Sequence, residues 1–234
     1  MSRSTVEPTQ EAHPPDKDEV RKRKRAPTDV PLDESIRERW SPRSFSDRPV
    51  TGEELRTLLE AARWAPSSYN EQPWRFIVAL KDDRERFERL LGCLDEGNRE
   101  WARNAPVLML TVAKRVFERN GRENRHAFHD VGLAMGNLLN QATEMGLYVH
   151  QMAGIDPEGA REAFDVPERF EVVAGVALGH LGDPEQLDDP GRRKSEVSER
   201  SRKPLGDLVF EGTWGETASF VDPELPDVPH EESP

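Results

Sequence analysis

The chain has 234 residues, a formal net charge of −12 and one cysteine. This length allows one large domain or two small ones, and the negative charge argues against a nucleic-acid-binding surface over the whole protein. A single cysteine excludes an internal disulfide. No apolar run approaches the ~20 residues of a transmembrane helix, and the first residues lack the apolar segment of a signal peptide. These features predict a cytoplasmic protein with no membrane contact.

Both ends of the chain are polar and rich in proline. Residues 1–30 and 217–234 hold few large apolar side chains, so we expect disordered tails around one folded domain over residues 31–216. The first tail contains a basic run from Arg21 to Arg25. Such a run can bind nucleic acid, but we favour a solvated tail that folds back on the acidic body. We therefore do not expect nucleic acid as a partner.

The folded part begins near Pro31 with a short helix that Asp33 or Ser35 can cap, and a longer helix and a strand follow. Thr51 and Glu54 have the spacing of a capping box, and the apolar residues after them recur at helical intervals. Pro66 stops this helix, because proline lacks an amide hydrogen and disfavours helical geometry in the residue before it. Residues 75–80 are apolar and partly β-branched, which predicts a strand.

Downstream, helical and strand patterns alternate. We expect helices over residues 82–91, 96–104, 124–145 and 156–164, and strands over residues 107–113, 148–154 and 170–178. In the long helix, Gly132 and Gly136 are four residues apart, a spacing that lets another backbone approach closely. His126, His129 and Asp130 could reach one metal ion from a helix face. No second ligand pair occurs, so we interpret them as an ordinary polar helix start and predict no metal.

Two polar motifs flank the first long helix. The first, Arg39-Trp40-Ser41-Pro42-Arg43, places a serine between two arginines, and these donors can converge on one phosphate. The second, Pro66-Ser67-Ser68-Tyr69-Asn70-Glu71-Gln72-Pro73-Trp74, is a polar loop between apolar elements, which suits a flat polar ligand. Alone, the second motif fits an ordinary helix-to-strand turn equally well. Together, the two motifs resemble the FMN-dependent nitroreductase family over about residues 35–214.

The resemblance implies an α+β fold with a central, mostly antiparallel sheet flanked by helices. It further implies an obligate homodimer whose chains exchange elements, with FMN bound at the interface. The arginine motif and a late basic pair would hold the phosphate from one chain, and the loop would contact the flavin from the other. The implied cofactor-binding residues are Arg39, Trp40, Ser41, Arg43, Pro66, Ser67, Ser68, Asn70, Asn98, Ala153, Gly154, Arg200 and Arg202.

The chemistry implied by the resemblance is electron transfer from NAD(P)H to electron-poor acceptors such as nitroaromatics or quinones, in a ping-pong order. No Gly-x-Gly-x-x-Gly fingerprint follows a strand, so the chemistry of an enzyme here would come from its cofactor. Hydride transfer needs no side-chain acid or base, and we predict no catalytic residue. Other flavin reactions on the same fold (dehydrogenation, dehalogenation, flavin fragmentation) and a flavin-binding or nucleic-acid-tethered regulator stay open. The acceptor would be selected by a variable loop at about residues 117–124.

Overall fold

The computed structural model describes residues 15–28 and 30–221. The chain divides into two compact units, a main unit up to Glu199 and a C-terminal unit from Arg200 onward. The sequence had predicted one folded domain over residues 31–216. The boundary falls in the polar stretch that follows the last helix of the main unit.

The main unit is built on a four-stranded antiparallel sheet. Its strands are β1 (Trp74–Leu80), β2 (Val107–Lys114), β3 (Tyr148–Met152) and β4 (Phe170–Gly179), in the order β1-β2-β4-β3. In register, Ile77 lies opposite Leu110 between β1 and β2, and Val149 lies opposite Leu178 between β3 and β4. Together with the helices, this sheet confirms the predicted α+β fold.

Eight helices surround the sheet within the described residues. They are α1 (Lys17–Lys24), α2 (Glu34–Glu38), α3 (Gly52–Arg63), α4 (Arg84–Gly92), α5 (Glu96–Ala102), α6 (Ala127–Glu144), α7 (Pro157–Ala163) and α8 (Pro190–Val197). The predicted capping box between Thr51 and Glu54 is present at the start of α3. Gly146 follows α6 with φ +70, the left-handed geometry that glycine adopts at little cost.

The core lies on both faces of the sheet, and β2 contributes to each. Every residue of β2 is buried, as its unbroken apolar pattern predicts. Leu108 and Leu110 face one core cluster, which α4, α5 and α7 cover. Val107 and Met109 face the other, which α3 and α6 cover. The sheet is therefore the middle of three layers, and loops at its edges carry the candidate site.

The N-terminal segment differs from the sequence prediction. Instead of a disordered tail, residues 17–24 form α1, which Asp16 caps, and Val20 of this helix is fully buried. The basic run pairs within the main unit: Arg21 Nη2 lies 2.8 Å from Glu38 Oε2, and Arg25 Nη1 lies 3.1 Å from Glu38 Oε1. One buried valine gives almost no amphipathic signal, so composition alone could not predict this helix. Residues 1–14 lie outside the described part.

The C-terminal unit, described from Arg200 to Val221, contains short 3-10 turns over Leu205–Asp207 and Ser219–Val221. An isolated antiparallel bridge joins Phe210 to Thr217, and the rings of Phe210 and Trp214 are 5.0 Å apart. Residues 222–234 of the predicted C-terminal tail are not described. Across the described ranges, no helix is both long and apolar enough to cross a membrane.

Candidate functional site

The arginine motif follows α2 in an extended segment. Arg39 Nη1 donates to Ser41 Oγ at 3.4 Å, so the first arginine and the serine lie together as predicted. The Trp40 side chain is buried, and within the described residues its indole Nε1 has no hydrogen-bond partner. Arg43 is half-buried. The motif therefore combines two partly accessible guanidinium groups with a buried aromatic anchor.

A buried glutamate that sequence reasoning missed holds the backbone of this motif. Glu196 of α8 is 1% exposed, and its Oε1 accepts from the amides of Arg43 and Ser44 at 2.9 Å each. The pKa of the Glu196 carboxyl is raised, because the effect of burial exceeds the opposite effects of the two amide hydrogen bonds and the Arg43 charge. Because these amides are already engaged, a phosphate at this segment would depend on side-chain donors. Only the helical spacing of α8 could have indicated an inward-facing glutamate.

His150 of β3 holds the same segment from the other side. Its Nδ1 lies 2.9 Å from the carbonyl oxygen of Pro42, a contact in which Nδ1–H donates. Burial, together with the nearby Arg43 charge, lowers the pKa of His150 to about 4, although the hydrogen bond to Pro42 opposes this shift. The imidazole is therefore neutral at neutral pH, and its ring centroid lies 4.6 Å from that of Trp101.

The polar loop after α3 has an unusual backbone. Tyr69, Asn70 and Gln72 have φ values of 55, 55 and 49, and they are three of the four described non-glycine residues with positive φ. This left-handed geometry is costly for residues other than glycine, and such strain clusters at functional sites. Within the loop, Ser67 Oγ accepts from the Gln72 amide at 3.0 Å. The loop is thus a defined, strained conformation and not a simple turn.

Asp130 anchors this loop to α6. The residue is 2% exposed, and its Oδ2 accepts from the Ser68 amide at 3.0 Å, while Oδ1 lies 3.3 Å from His129 Nδ1. The sequence interpretation of Asp130 as an ordinary polar helix residue therefore missed its role. It lies three residues after Ala127 and just before Val131, both buried, so its place in the apolar stripe was an available signal.

A second anchor lies at the other end of the loop. Lys114, at the end of β2, is 4% exposed, and its Nζ lies 3.2 Å from Glu71 Oε1 and also contacts Glu118. Glu71 Oε1 in turn accepts from the Glu118 amide at 2.7 Å. This cluster joins the loop to residues 117–124, the segment expected to select the acceptor.

Asn98 and Gly154 are in direct contact, and the flavin contacts that the resemblance implies for them stay a prediction. Asn98 Nδ2 donates to the Gly154 carbonyl at 3.0 Å, and the Asp95 amide donates to the same oxygen at 3.0 Å. A Cβ on Gly154 would lie 2.6 Å from Asn98 Nδ2 and 2.7 Å from Asp95 Oδ2, so a larger residue would have to displace one or both of these side chains. Among the hydrogen bonds of the described residues, the Gly154 amide donates to none. Ala153, just before it, is exposed.

The remaining predicted residues divide between the two units. Pro66 and Asn70 are exposed at the ends of the strained loop, and Ser67 and Ser68 are half-buried within it. Arg200 and Arg202 belong to the C-terminal unit, where Arg202 Nη1 donates to the Ser201 carbonyl at 2.8 Å. Their convergence with the arginine motif stays a prediction. No group of His, Cys, Asp and Glu among the described residues has the arrangement of a metal site.

Comparison with known proteins identifies the family. The sequence profile of the Nitroreductase family matches residues 36–94 and 93–180, which together make up more than half of the chain. The chain belongs to the nitroreductase family. The match covers the arginine motif, the strained loop, Asn98 and Gly154, and it ends before the C-terminal unit.

Similar proteins agree with this assignment. A protein of Streptomyces coelicolor named NADH dehydrogenase/NAD(P)H nitroreductase is 30% identical over 165 residues. The match covers 62% of this chain and 80% of that protein. A solved structure of an oxidoreductase containing FMN is 37% identical, with a TM-score of 0.76, over 82% of this chain and 96% of that one. A nitroreductase-type protein of Desulfovibrio desulfuricans, solved in complex with FMN, is 29% identical with a TM-score of 0.61. The match covers 80% of this chain and 99% of that one.

Proposed function

We propose that this nitroreductase-family protein is a cytoplasmic, FMN-dependent oxidoreductase that passes electrons from NAD(P)H to electron-poor acceptors such as nitroaromatics or quinones. The observation that carries the proposal is the amide of the half-buried Gly154, which has no acceptor among the described residues, while the carbonyl of the same residue accepts from Asn98. An N–H group without an acceptor can donate to a ligand, and the missing side chain of glycine lets the polar edge of a ring come close to it. The names of the relatives support the choice of FMN.

The donor set fits FMN. Arg39, Ser41 and Arg43 supply charge-assisted and neutral donors for a phosphate, and Arg200 and Arg202 would add two more charges. The loop at Ser67, Ser68 and Asn70 offers short polar groups for a flavin ring, and Trp40 offers an indole donor. When bound, FMN supplies the hydride chemistry, and the protein contributes position, charge and exclusion of water.

The contribution of each side chain follows from its contacts. Glu196 and His150 hold the backbone at Pro42, Arg43 and Ser44, so the guanidinium groups start from a fixed segment. Asp130 holds the loop at Ser68. Because these supports are internal to the main unit, the site is organised before any ligand arrives, which reduces the ordering cost of binding. The donor and the acceptor would use one position in turn, in a ping-pong order.

The proposal includes a homodimer with a shared site. On α6, Leu133 is 37% exposed, and a Cβ at Gly132 or Gly136 would meet nothing within 4 Å. Trp64, at the end of the packed neighbour α3, is 72% exposed. Exposed apolar side chains beside open glycines favour contact with another chain. In this assembly the arginine motif of one chain would lie with the strained loop of its partner.

Steady-state kinetics test the proposed activity. Without oxygen, the FMN-loaded protein should turn over NADH or NADPH continuously only when a quinone or a nitroaromatic is present as acceptor. Initial rates measured against donor at several fixed acceptor concentrations should give parallel double-reciprocal lines, the pattern of a ping-pong order. Protein incubated with FAD in place of FMN serves as the control.

Intersecting lines would contradict the ping-pong order while leaving the activity in place. Binding of FMN without any oxidation of NADH or NADPH would contradict the oxidoreductase proposal itself. Salt-sensitive binding to DNA that is lost when residues 1–30 are deleted, with no turnover, would favour the regulator instead.

A further inference from the structure

We propose that Tyr69, Phe117 and Arg119 form an acceptor-binding surface that prefers planar aromatic acceptors carrying a negative charge. We call these three residues the Tyr–Arg surface. The inference rests on the proposed function, because Tyr69 belongs to the strained loop that would contact the flavin. It deepens that function by naming the class of acceptor.

The geometry joins the loop to the acceptor segment. The rings of Tyr69 and Phe117 are 5.8 Å apart at an interplanar angle of 88°. The Arg119 guanidinium carbon lies 4.0 Å from the Tyr69 ring centroid and 5.5 Å from that of Phe117. Tyr69 nevertheless remains 73% exposed. The guanidinium thus lies over one face of the Tyr69 ring, and most of this residue stays exposed to a ligand.

The charge of Arg119 is not neutralised locally. Residues 114–125 contain four arginines and one lysine against two glutamates, in a chain whose net charge is −12. Both glutamates are engaged elsewhere, Glu118 by Lys114 and Glu123 by Arg115. Over residues 15–28 and 30–221, no carboxylate oxygen lies within 4.0 Å of the Arg119 guanidinium. An anionic ligand would therefore find a cation without a competing carboxylate.

The surface is also held rigidly where it meets the loop. The Asp130 contact to Ser68 and the buried Lys114–Glu71 pair hold the loop on both sides of Tyr69, whose own backbone is left-handed. A loop that is already held costs less entropy when a ligand stacks on its ring. Stacking recognises a flat ring, and the guanidinium fork recognises a carboxylate or a similar anion on that ring. The two together select an anionic aromatic compound.

Equilibrium binding provides the first test. Oxidised, FMN-loaded full-length protein is titrated by calorimetry, without NAD(P)H, with 4-nitrobenzoate and with the neutral 4-nitrobenzyl alcohol. The wild type should bind the carboxylate about threefold to tenfold more tightly, the range for a partly exposed charge-assisted contact. Arg119→Gln should remove this preference. Arg122→Gln removes the same charge from an exposed arginine of the same segment and should leave the preference in place.

Two further variants separate charge from stacking. Arg119→Lys keeps the charge but loses the planar fork, and we expect part of the preference to remain. Tyr69→Asn suits the left-handed backbone, because asparagine tolerates positive φ, and it removes the ring. This variant should weaken binding of both compounds. Equal losses from Arg119→Gln and Arg122→Gln, or equal binding of both compounds by the wild type, would overturn the proposal.

Turnover distinguishes the acceptor from the donor, since NADPH also carries an anion on an aromatic nucleoside. Arg119→Gln should lower kcat/KM for 4-nitrobenzoate by about the same factor as it lowers binding and leave the ratio between NADPH and NADH unchanged. A changed NADPH-to-NADH ratio with unchanged 4-nitrobenzoate kinetics would assign Arg119 to the donor and overturn the proposal. If the binding preference is present but no compound is reduced, the oxidoreductase proposal fails and the surface stands.

Discussion

The backbone around Arg43 is held by contacts within the protein, which the arginine side chain does not make. The amides of Arg43 and Ser44 are held by Glu196, and the Pro42 carbonyl is held by His150, so the backbone of the motif is engaged within the protein. A ligand at this segment would therefore depend on side-chain groups and not on these backbone groups. A family motif read from sequence identifies the arginines, but it cannot show that their backbone is held by a residue 153 positions away.

Removing the Arg43 side chain should weaken FMN binding by roughly tenfold to a hundredfold, because one charge-assisted hydrogen bond contributes ~1.5–3 kcal/mol. Fluorescence titration of Arg43→Ala with FMN and with riboflavin measures the effect. Riboflavin lacks the phosphate, so its weaker binding should change little. An equal loss for both ligands would show that Arg43 is structural.

The anchor at Asp130 predicts a loss of stability. Asp130→Ala leaves the Ser68 amide without its acceptor and should lower the free energy of unfolding by about 1–3 kcal/mol in urea. Asp130→Asn should cost less, since an amide oxygen can still accept. Glu144→Gln, an exposed carboxylate on the same helix, is the control. If Asp130→Ala unfolds at the same urea concentration as the control, the anchor is unimportant.

The low pKa of His150 predicts a pH dependence. Its folded pKa of about 4 lies below the ordinary value of 6.5, so the unfolded state binds more protons between these values. The stability due to neutral His150 is therefore complete above pH 6.5 and is lost as the pH falls towards 4, by up to ~3 kcal/mol.

His150→Asn keeps a donor for the Pro42 carbonyl but does not titrate. The difference in unfolding free energy between the wild type and this variant, measured from pH 7 to pH 4, isolates His150 from the opposite effect of Glu196, whose pKa is raised. A difference that does not change with pH would contradict the account.

At the scale of elements, the sequence predicted those with strong periodicity and missed those without it. The core helices and all four strands lie within a few residues of their predicted bounds, because capping signals such as Thr51 and long apolar patterns specify them locally. Helices α1 and α8 are short and mostly charged, and each buries only one or two side chains. Their positions depend on tertiary contacts such as Lys24 Nζ with the Ser195 carbonyl at 2.7 Å, which no local pattern encodes.

Helix α1 should contribute to stability. Val20→Ala removes two methyl groups from a fully buried position and should lower the unfolding free energy by about 1–2 kcal/mol. Arg23→Ala on the exposed side of the same helix should change it by less than ~0.5 kcal/mol. Urea unfolding followed by tryptophan fluorescence reports both, because Trp40 lies under Lys24 of this helix. Equal stability of the two variants would indicate that α1 does not pack as described.

In the candidate site, as in α1 and α8, contacts between distant residues could not be predicted from the sequence. The residues of the two motifs and Gly154 were chosen through the family resemblance, and their contacts with FMN stay a prediction. The side chains that hold the loop in place could not be predicted from the sequence. Asn70 was a local signal for left-handed backbone, because asparagine tolerates positive φ, but Tyr69 gives no such signal, and the loop is held by Asp130 and Lys114 from distant elements.

For the whole molecule, the proposed dimer should bury more than ~2,000 Å² and persist at micromolar concentration in light scattering. Leu133→Arg places a charge on the exposed face of α6 and should produce monomers that also lose FMN, because the site is shared. Glu162→Arg, exposed on α7 across the sheet, is the control. A stable monomer that keeps its FMN would refute the shared site.

The central claim is that this chain holds FMN, and the most direct test is the chromophore itself. Protein incubated with FMN and FAD together, then freed of excess cofactor, should be yellow. Heat release followed by mass spectrometry should give FMN at about one per chain. FAD as the released species, or a colourless protein after incubation with excess FMN, would contradict the account.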